Sequence, residues 1–121
     1  MRVGVLGAAF KPNTDDIRDS PALDVASTIL REGATVTVYD PAANDTARAR
    51  YPQLSYADTA VDAARDADVV LHLTEWAEFR EVDIDAVGVA ARRKQILDGR
   101  NALDLDAWRS AGWTVRGLGR S

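Results

Sequence analysis

Two basic side chains, Lys11 and Arg18, lie in one polar run between a short apolar segment and an amphipathic helix. The run covers residues 10–24 and reads FKPNTDDIRDSPALD. A strand is predicted over residues 3–9, so both cations lie in a loop at the carboxyl end of a strand and beside a helix N-terminus. Ligands of open α/β sheets bind at that edge, and Lys and Arg there donate charge-assisted hydrogen bonds to phosphate oxygens. One interpretation is an anion-binding loop, with Phe10 as an aromatic wall.

The same loop contains carboxylates that can neutralise both cations. Asp15, Asp16 and Asp19 are near neighbours of Lys11 and Arg18 in the sequence, so a solvated, salt-bridged loop is the alternative prediction. A metal site is not predicted, because the three aspartates lack the spacing and the terminal glutamate of a calcium-binding loop.

A third candidate cation follows another strand. Asp98-Gly99-Arg100-Asn101 comes at the end of a strand predicted over residues 95–98, and the glycine permits close approach to the backbone. Two interpretations of Arg100 stay open: it clamps a phosphate or sugar hydroxyl, or it is an ordinary surface arginine.

Other polar residues near strand ends have structural interpretations. Glu75 follows the most apolar strand, residues 68–74. It would act as a general base if desolvated, but a capping or pairing role is favoured. His72 lies within that strand and is expected to be a hydrogen-bonded core residue. Core packing is predicted for four aromatic residues: Trp76, Phe79, Trp108 and Trp113.

The first turn does not carry the fingerprint of a dinucleotide site. That fingerprint reads G-x-G-x-x-G and is followed by an acidic residue at the end of the second strand. Here Gly4 and Gly7 are followed by alanines, although Asp40 occupies the position of the ribose-binding acid. The loop is also too long for the tight pyrophosphate turn. NAD is therefore not predicted to bind in the usual crevice of this fold.

The elements that must position these residues alternate between strand and helix. Strands are predicted at residues 3–9, 35–40, 68–74, 95–98 and 113–116. Helices are predicted from Pro21 to a C-cap at Gly33 and at residues 44–50, 59–65, 84–93 and 105–111. Such alternation is typical of βαβ units with right-handed crossovers. The prediction is a Rossmann-like, three-layer α/β/α sandwich with about five parallel strands.

Length and composition narrow the class of protein. The 121 residues are enough for one domain, and the net charge of −4 argues against a general nucleic-acid-binding surface. The chain has no cysteine, which excludes a disulfide framework and a cysteine nucleophile within these residues. No signal peptide is predicted, and no apolar run approaches the ~18 residues of a membrane span. We therefore expect no membrane association and a cytoplasmic location.

With these residues in view, the chain resembles the C-terminal, UDP-sugar-binding domain of the UDP-glucose/GDP-mannose dehydrogenase family. The resemblance is carried by residues 4–21 (GVLGAAFKPNTDDIRDSP), Tyr39-Asp40-Pro41, Leu73-Thr74-Glu75-Trp76 with Phe79, Asp98-Gly99-Arg100-Asn101 and residues 117–120 (GLGR). The motifs occur in order and extend over essentially the whole chain. They are most similar to the branch that oxidises UDP-glucose.

The resemblance implies part of an enzyme. Family members oxidise the C6 hydroxyl of a nucleotide sugar to a carboxylate and reduce two NAD, in a cleft between an N-terminal NAD-binding domain, a central helical domain and this one. By resemblance, Phe10, Lys11 and Arg100 contact the substrate, which is UDP-glucose or a related nucleotide sugar. Arg18 would reach the NAD pyrophosphate, while NAD itself is bound mainly by the N-terminal domain.

The family's catalytic cysteine, catalytic lysine and G-x-G-x-x-G fingerprint belong upstream of this region. We therefore expect a single UDP-sugar-binding domain over residues 1–121, excised from a longer dehydrogenase. It should be a monomer or weak dimer with no catalytic residue and no activity alone. Three alternatives stay open: a dehydrogenase of UDP-N-acetylmannosamine or GDP-mannose, a stand-alone nucleotide-binding module, and a Rossmann-like domain without a ligand.

Overall fold

The computed structural model describes residues 1–117, which form one parallel sheet with helices on both faces. The strands are β1 (Arg2–Leu6), β2 (Thr35–Tyr39), β3 (Ser55–Tyr56), β4 (Val69–His72), β5 (Gln95–Asp98) and β6 (Thr114–Gly117). Their order across the sheet is β3-β2-β1-β4-β5-β6. The predicted α/β sandwich is confirmed, with β3 as a sixth strand. Of the motif at residues 117–120, residues 118–120 lie outside the described part.

Helices connect successive strands, as the alternating pattern predicts. They are α1 (Pro21–Arg31), α2 (Asn44–Arg50), α3 (Ala60–Ala64), α4 (Ala77–Arg80), α5 (Ile84–Ala90) and α6 (Leu105–Ser110). The single-turn helix α4 was not predicted. Within residues 1–117, none of these helices has the length and apolar character needed to cross a membrane.

The first helix begins where its capping residue predicts. Ser20 Oγ accepts a hydrogen bond from the Leu23 N–H at 3.3 Å, and Pro21 occupies the first helical position. The same hydroxyl donates to the Ala8 carbonyl at 2.7 Å. The cap therefore also ties the start of α1 to the chain leaving β1.

The core is divided between the two faces of the sheet. On one face the buried side chains of β1 and β2 pack against Leu23 and Ala26 of α1 and Ala47 of α2. On the other face α3, α4, α5 and α6 cover the sheet, and the large buried residues there include Phe79 and Trp108. The predicted core positions of Phe79, Trp108 and Trp113 are confirmed, and Trp76 is partly buried against the same cluster.

The first strand ends at Leu6, three residues earlier than predicted, because the chain turns at Gly7. Gly7 has a φ of +111°, and a Cβ there would lie 2.4 Å from Thr74 Cβ. Only glycine combines this backbone conformation with so close an approach. The turn brings the loop after β1 against the end of β4.

The strand ends are aligned at one edge of the sheet, called the carboxyl edge below. The register pairs Leu6 with Tyr39 and with His72, His72 with Asp98, and Asp98 with Gly117. The loops that follow β1, β4 and β5 therefore emerge side by side. Between β1 and β4 the winding direction of the chain reverses, which is the topological switch point where open α/β sheets bind ligands.

Candidate functional site

The loop after β5 is built around the buried carboxylate of Asp98, which is 0% exposed. Asp98 accepts hydrogen bonds from the backbone N–H of Arg100 at 3.0 Å and from those of Ala102 and Leu103, both at 2.8 Å. Asn101 has a φ of +56° and supplies the left-handed turn between them, a conformation that asparagine tolerates well. The backbone beside Arg100 is thus fixed to the core of the domain.

His72 holds the same carboxylate from the neighbouring strand. Its Nδ1 lies 2.8 Å from Asp98 Oδ1, and the side chains of both residues are fully buried. Burial lowers the pKa of His72, and the opposing interaction with Asp98 does not reverse this. Burial would raise the pKa of Asp98, but the hydrogen bonds from His72, Leu103 and Arg100 together keep it below its usual value. The prediction of a hydrogen-bonded core histidine is confirmed.

Arg100 extends from this anchored loop to Glu75, which follows β4. Arg100 Nε lies 2.7 Å from Glu75 Oε2, and Nη2 lies 3.2 Å from Oε1. The arginine side chain is 35% exposed and the glutamate side chain 28%. Glu75 therefore has the pairing role that the sequence favours, and its partner is the candidate ligand-binding arginine.

The loop after β1 is closed at its neck by a hydrogen bond from the Phe10 N–H to the Asp16 carbonyl at 2.8 Å. Arg18 Nε and Nη2 contact the Asp16 carboxylate at 3.1 and 2.9 Å, and the Arg18 N–H donates to it at 2.9 Å. Hydrogen bonds from Arg18, with a further contribution from the charge of Lys11, lower the pKa of Asp16 to about 2. The salt bridge expected in the alternative prediction is present, and it leaves Arg18 87% exposed.

Exposed groups line a shallow recess on this loop. The recess has a volume of about 270 Å³ and is lined by Phe10, Asp16, Arg18 and Asp19. Phe10 is 48% exposed although it is a large apolar residue. A larger recess of about 520 Å³ lies along α1 beside Tyr51, so cavity volume does not mark the carboxyl edge.

Asp40 anchors the base of the β1 loop rather than offering a carboxylate to a ribose. One oxygen accepts from the N–H groups of Ala8 and Ala9 at 2.8 and 3.0 Å and from the Trp76 indole at 3.1 Å. The other accepts from the N–H groups that open the turn before α2, at 2.9 and 2.8 Å. The residue is 2% exposed. Its position at the end of β2 suits a ribose-binding acid, but its lone pairs are engaged within the protein.

The structure brings the four candidate residues to the same edge of the sheet. Phe10, Lys11 and Arg18 follow β1, and Arg100 follows β5, with only β4 between the two strands. Because adjacent strands lie about 4.8 Å apart, the bases of the two loops are separated by roughly 10 Å. That separation is within the span of one nucleoside diphosphate.

Two structural anchors of this edge were missed by reasoning from sequence. Asp98 is the last residue of β5 and Asp40 directly follows β2, and each immediately precedes a turn-forming residue, Gly99 and Pro41. That shared pattern was the available signal, because an acidic side chain at a strand end can accept the N–H groups of the turn that follows.

A family model matches residues 4–105 and is described as the UDP-binding domain of the UDP-glucose/GDP-mannose dehydrogenase family. The chain is 46% identical over 99 residues to a UDP-glucose 6-dehydrogenase of Haloferax volcanii, an alignment that covers 82% of this chain and 23% of that enzyme.

Solved structures of nucleotide-sugar dehydrogenases superpose closely on this chain. A UDP-glucose dehydrogenase from Pyrobaculum islandicum superposes with a TM-score of 0.81 at 34% identity, over 99% of this chain and 26% of that one. An NDP-N-acetyl-D-galactosaminuronic acid dehydrogenase from Methanosarcina mazei gives 0.84 at 30% identity, over 99% and 25%. The chain thus spans about a quarter of the length of the relatives it matches.

Proposed function

This chain belongs to the UDP-glucose/GDP-mannose dehydrogenase family as its UDP-binding domain, and we propose that it forms the substrate wall of a UDP-glucose dehydrogenase active site. In the proposed complex, Lys11 and Arg100 neutralise the diphosphate of UDP-glucose, and Phe10 packs against the nucleotide sugar. Arg18 reaches out of the domain toward the pyrophosphate of NAD.

The arrangement of cations at the carboxyl edge is the observation that carries this proposal. Lys11, Arg18 and Arg100 come from two loops that flank the end of β4, at the switch point of the sheet. Arg100 rises from a backbone fixed by buried Asp98, so its charge is held in place before a ligand arrives. A preorganised cation loses less conformational freedom on binding an anion.

Among the residues that the structure describes, the crevice at the switch point lacks a free ribose-binding acid for NAD. Its ribose-binding position is occupied by Asp40, whose two oxygens already accept five hydrogen bonds from the protein. NAD would therefore be held by another domain of the parent protein, with Arg18 as the contact from this one. Arg18 suits that role because most of its side chain is exposed.

The whole enzyme would oxidise UDP-glucose to UDP-glucuronate in the cytoplasm with reduction of two NAD. Its covalent step needs a thiolate, and this chain contains no cysteine. We therefore expect residues 1–121 alone to produce no NADH from UDP-glucose. The isolated domain should be a monomer or weak dimer that binds UDP weakly, because the other wall of the cleft supplies the remaining contacts.

Titration of the 15N-labelled chain with UDP, UDP-glucose and NAD tests this proposal. UDP and UDP-glucose should shift the amide signals of residues 7–20 and 98–103, and Lys11→Ala and Arg100→Ala should each weaken binding about tenfold, as expected for a lost charge-assisted contact. Arg65→Ala is the matched control, because Arg65, which follows the last residue of α3, forms an exposed ion pair with Asp62 at 2.8 Å. Absence of any shift with UDP at millimolar concentration would contradict the proposal.

A second nucleotide sugar has structural support. The Methanosarcina mazei structure, whose name gives an N-acetylated hexuronic acid, superposes as well as the UDP-glucose dehydrogenase structure does. The backbone of this domain therefore does not distinguish the sugars. Parallel titrations with UDP-N-acetylmannosamine and GDP-mannose measure the preference, and equal affinity for the two UDP-sugars would place sugar selection in the other domains.

A further inference from the structure

The contact between Glu75 and Arg100 uses one particular edge of the guanidinium. Glu75 accepts from Nε and Nη2, which form the side edge of the group. A guanidinium has five N–H donors arranged in a rigid plane, and a second fork at its end is formed by Nη1 and Nη2. A carboxylate on the side edge leaves that end fork pointing away from it, and the end fork matches the geometry of two phosphate oxygens.

We propose that Glu75 is a positioning residue for recognition of the nucleotide diphosphate, acting through Arg100. It holds the side edge of the guanidinium so that the end fork faces the ligand. This inference rests on the proposed function, and it adds a residue that does not itself touch the ligand. A carboxylate beside an anion site would otherwise be unfavourable.

The Arg100 side chain is held in place at both of its ends. At the backbone end, Asp98 accepts the N–H of Arg100 at 3.0 Å. At the guanidinium end, Glu75 holds two nitrogen atoms, and both side chains are about one-third exposed or less. An arginine fixed at both ends has few rotamers left to lose when an oxyanion binds.

The effect of Glu75→Gln on the affinity for UDP separates a positioning role from simple electrostatic repulsion, because the two predict opposite changes. If Glu75 acted only through its charge, Glu75→Gln would remove a repulsive group and strengthen the binding of UDP. If Glu75 positions Arg100, the same change weakens binding, because glutamine has a single acceptor oxygen and an NH2 group that can only donate, so it cannot accept from both Nε and Nη2.

The experiment is a UDP titration of four forms of the 15N-labelled chain: wild type, Glu75→Gln, Arg100→Lys and the double variant. We expect Glu75→Gln to weaken binding about threefold to tenfold, the range for losing the preorganisation of one long side chain. In the Arg100→Lys background the same change should leave affinity unchanged or improve it, because lysine has no fork to orient. Asp62→Asn, which breaks the ion pair of Arg65, is the control and should leave affinity unchanged.

A second measurement needs no ligand. The Nε–H signal of Arg100 should show restricted motion in 15N relaxation in the wild type and fast averaging in Glu75→Gln, at an unchanged melting temperature. Unchanged relaxation, or UDP binding that stays equal or tightens in Glu75→Gln, would overturn the inference. If Arg100→Ala weakens binding while Glu75→Gln does not, only the inference fails; if the wild type does not bind UDP, the proposed function fails as well.

Discussion

The two loops that carry the candidate cations contrast in how they hold an arginine. Arg100 pairs with Glu75, a residue 25 positions away, and its own backbone is tied to a carboxylate with no exposed surface. Arg18 pairs with Asp16, only two positions away, and stays 87% exposed. The first pair exists only when β4 and β5 are adjacent, whereas the second belongs to a local turn.

Each loop has a buried aspartate at its base, but the distance to the cation differs. Asp98 lies two residues before Arg100, so the anchor and the cation move as one unit. Asp40 holds Ala8 and Ala9, and Arg18 follows nine residues after that anchor. One cation is thus built into the rigid part of the domain, and the other extends beyond it. This difference would give the domain a rigid contact to a substrate through Arg100 and an adaptable contact to a second domain through Arg18.

The largest effect expected from this contrast is on folding stability. Asp98→Ala leaves the N–H groups of Ala102 and Leu103 without their acceptor and removes the partner of buried His72. Each buried donor left without an acceptor costs about 1–3 kcal/mol, so the loss of these three contacts should total about 3 kcal/mol or more. Urea unfolding followed by circular dichroism should show this loss of unfolding free energy.

Asp16→Ala is the matched substitution in the other loop. Because Asp16 pairs at the surface with an exposed arginine, the urea midpoint should not change measurably. Equal losses of unfolding free energy for Asp98→Ala and Asp16→Ala would mean that the two loops are anchored equally firmly. The contrast between a rigid loop after β5 and a local surface turn after β1 would then be wrong.

A smaller effect is expected where the base of the β1 loop meets β4. The Thr74 hydroxyl is buried and donates to the Ala9 carbonyl at 2.8 Å. Thr74→Val keeps the shape but leaves that carbonyl unpaired, at a cost of about 1–3 kcal/mol. Thr28→Val removes an equivalent hydroxyl bond to Asp24 on the exposed side of α1, and should cost less than about 0.5 kcal/mol. Similar costs for both variants would mean that the β1 loop is not anchored through Thr74.

Local sequence signals predicted the helices well and the short elements poorly. Ser20 and Pro21 fix the start of α1, and α2 occupies the predicted residues. The strand β3 has two residues and α4 has four, too few for a hydrophobic period to be recognised. The early end of β1 depends on the approach of Gly7 to Thr74, a contact between residues far apart in the sequence.

The candidate site was predictable in its cations but not in their partners. The Asp16–Arg18 pair is visible as a local charge pattern. The Glu75–Arg100 pair is not, because it depends on the sheet order that places β5 beside β4. The anchoring role of Asp40 depends on long-range contacts in the same way: the sequence places it after β2, but its bonds to the β1 loop and to Trp76 follow only from the fold.

The buried pair beneath Arg100 also predicts a pH dependence. Burial lowers the pKa of His72 below its ordinary 6.5, so the unfolded chain binds a proton that the folded chain does not. Stability should therefore fall as the pH drops below about 6.5, with a slope of at most about 1.4 kcal/mol per pH unit. Asp98, whose pKa is also lowered, adds a further loss below about 3.8.

His72 is the only histidine in the chain, so His72→Gln isolates its contribution. Urea unfolding at intervals from pH 7.5 to 5.0 should show the slope in the wild type, and the variant should lose most of it. A wild-type stability that does not change over this range would contradict the assignment of a neutral buried histidine.

The smallest effect separates the two arginines by their response to salt. The low pKa of Asp16, about 2, comes from hydrogen bonds of exposed Arg18 together with the charge of Lys11, and salt screens exposed charges strongly. Raising the NaCl concentration from roughly 0.05 to 1 M shortens the Debye length to about 3 Å. In a 13C-detected titration the pKa of Asp16 should then rise toward its ordinary value.

Over the same change in salt the Nε–H of Arg100 should keep its protection from exchange, because Glu75, the partner of Arg100, is half-buried and the backbone of Arg100 is fixed. Loss of that protection in step with the change at Asp16 would mean that the long-range pair is no more rigid than the local one.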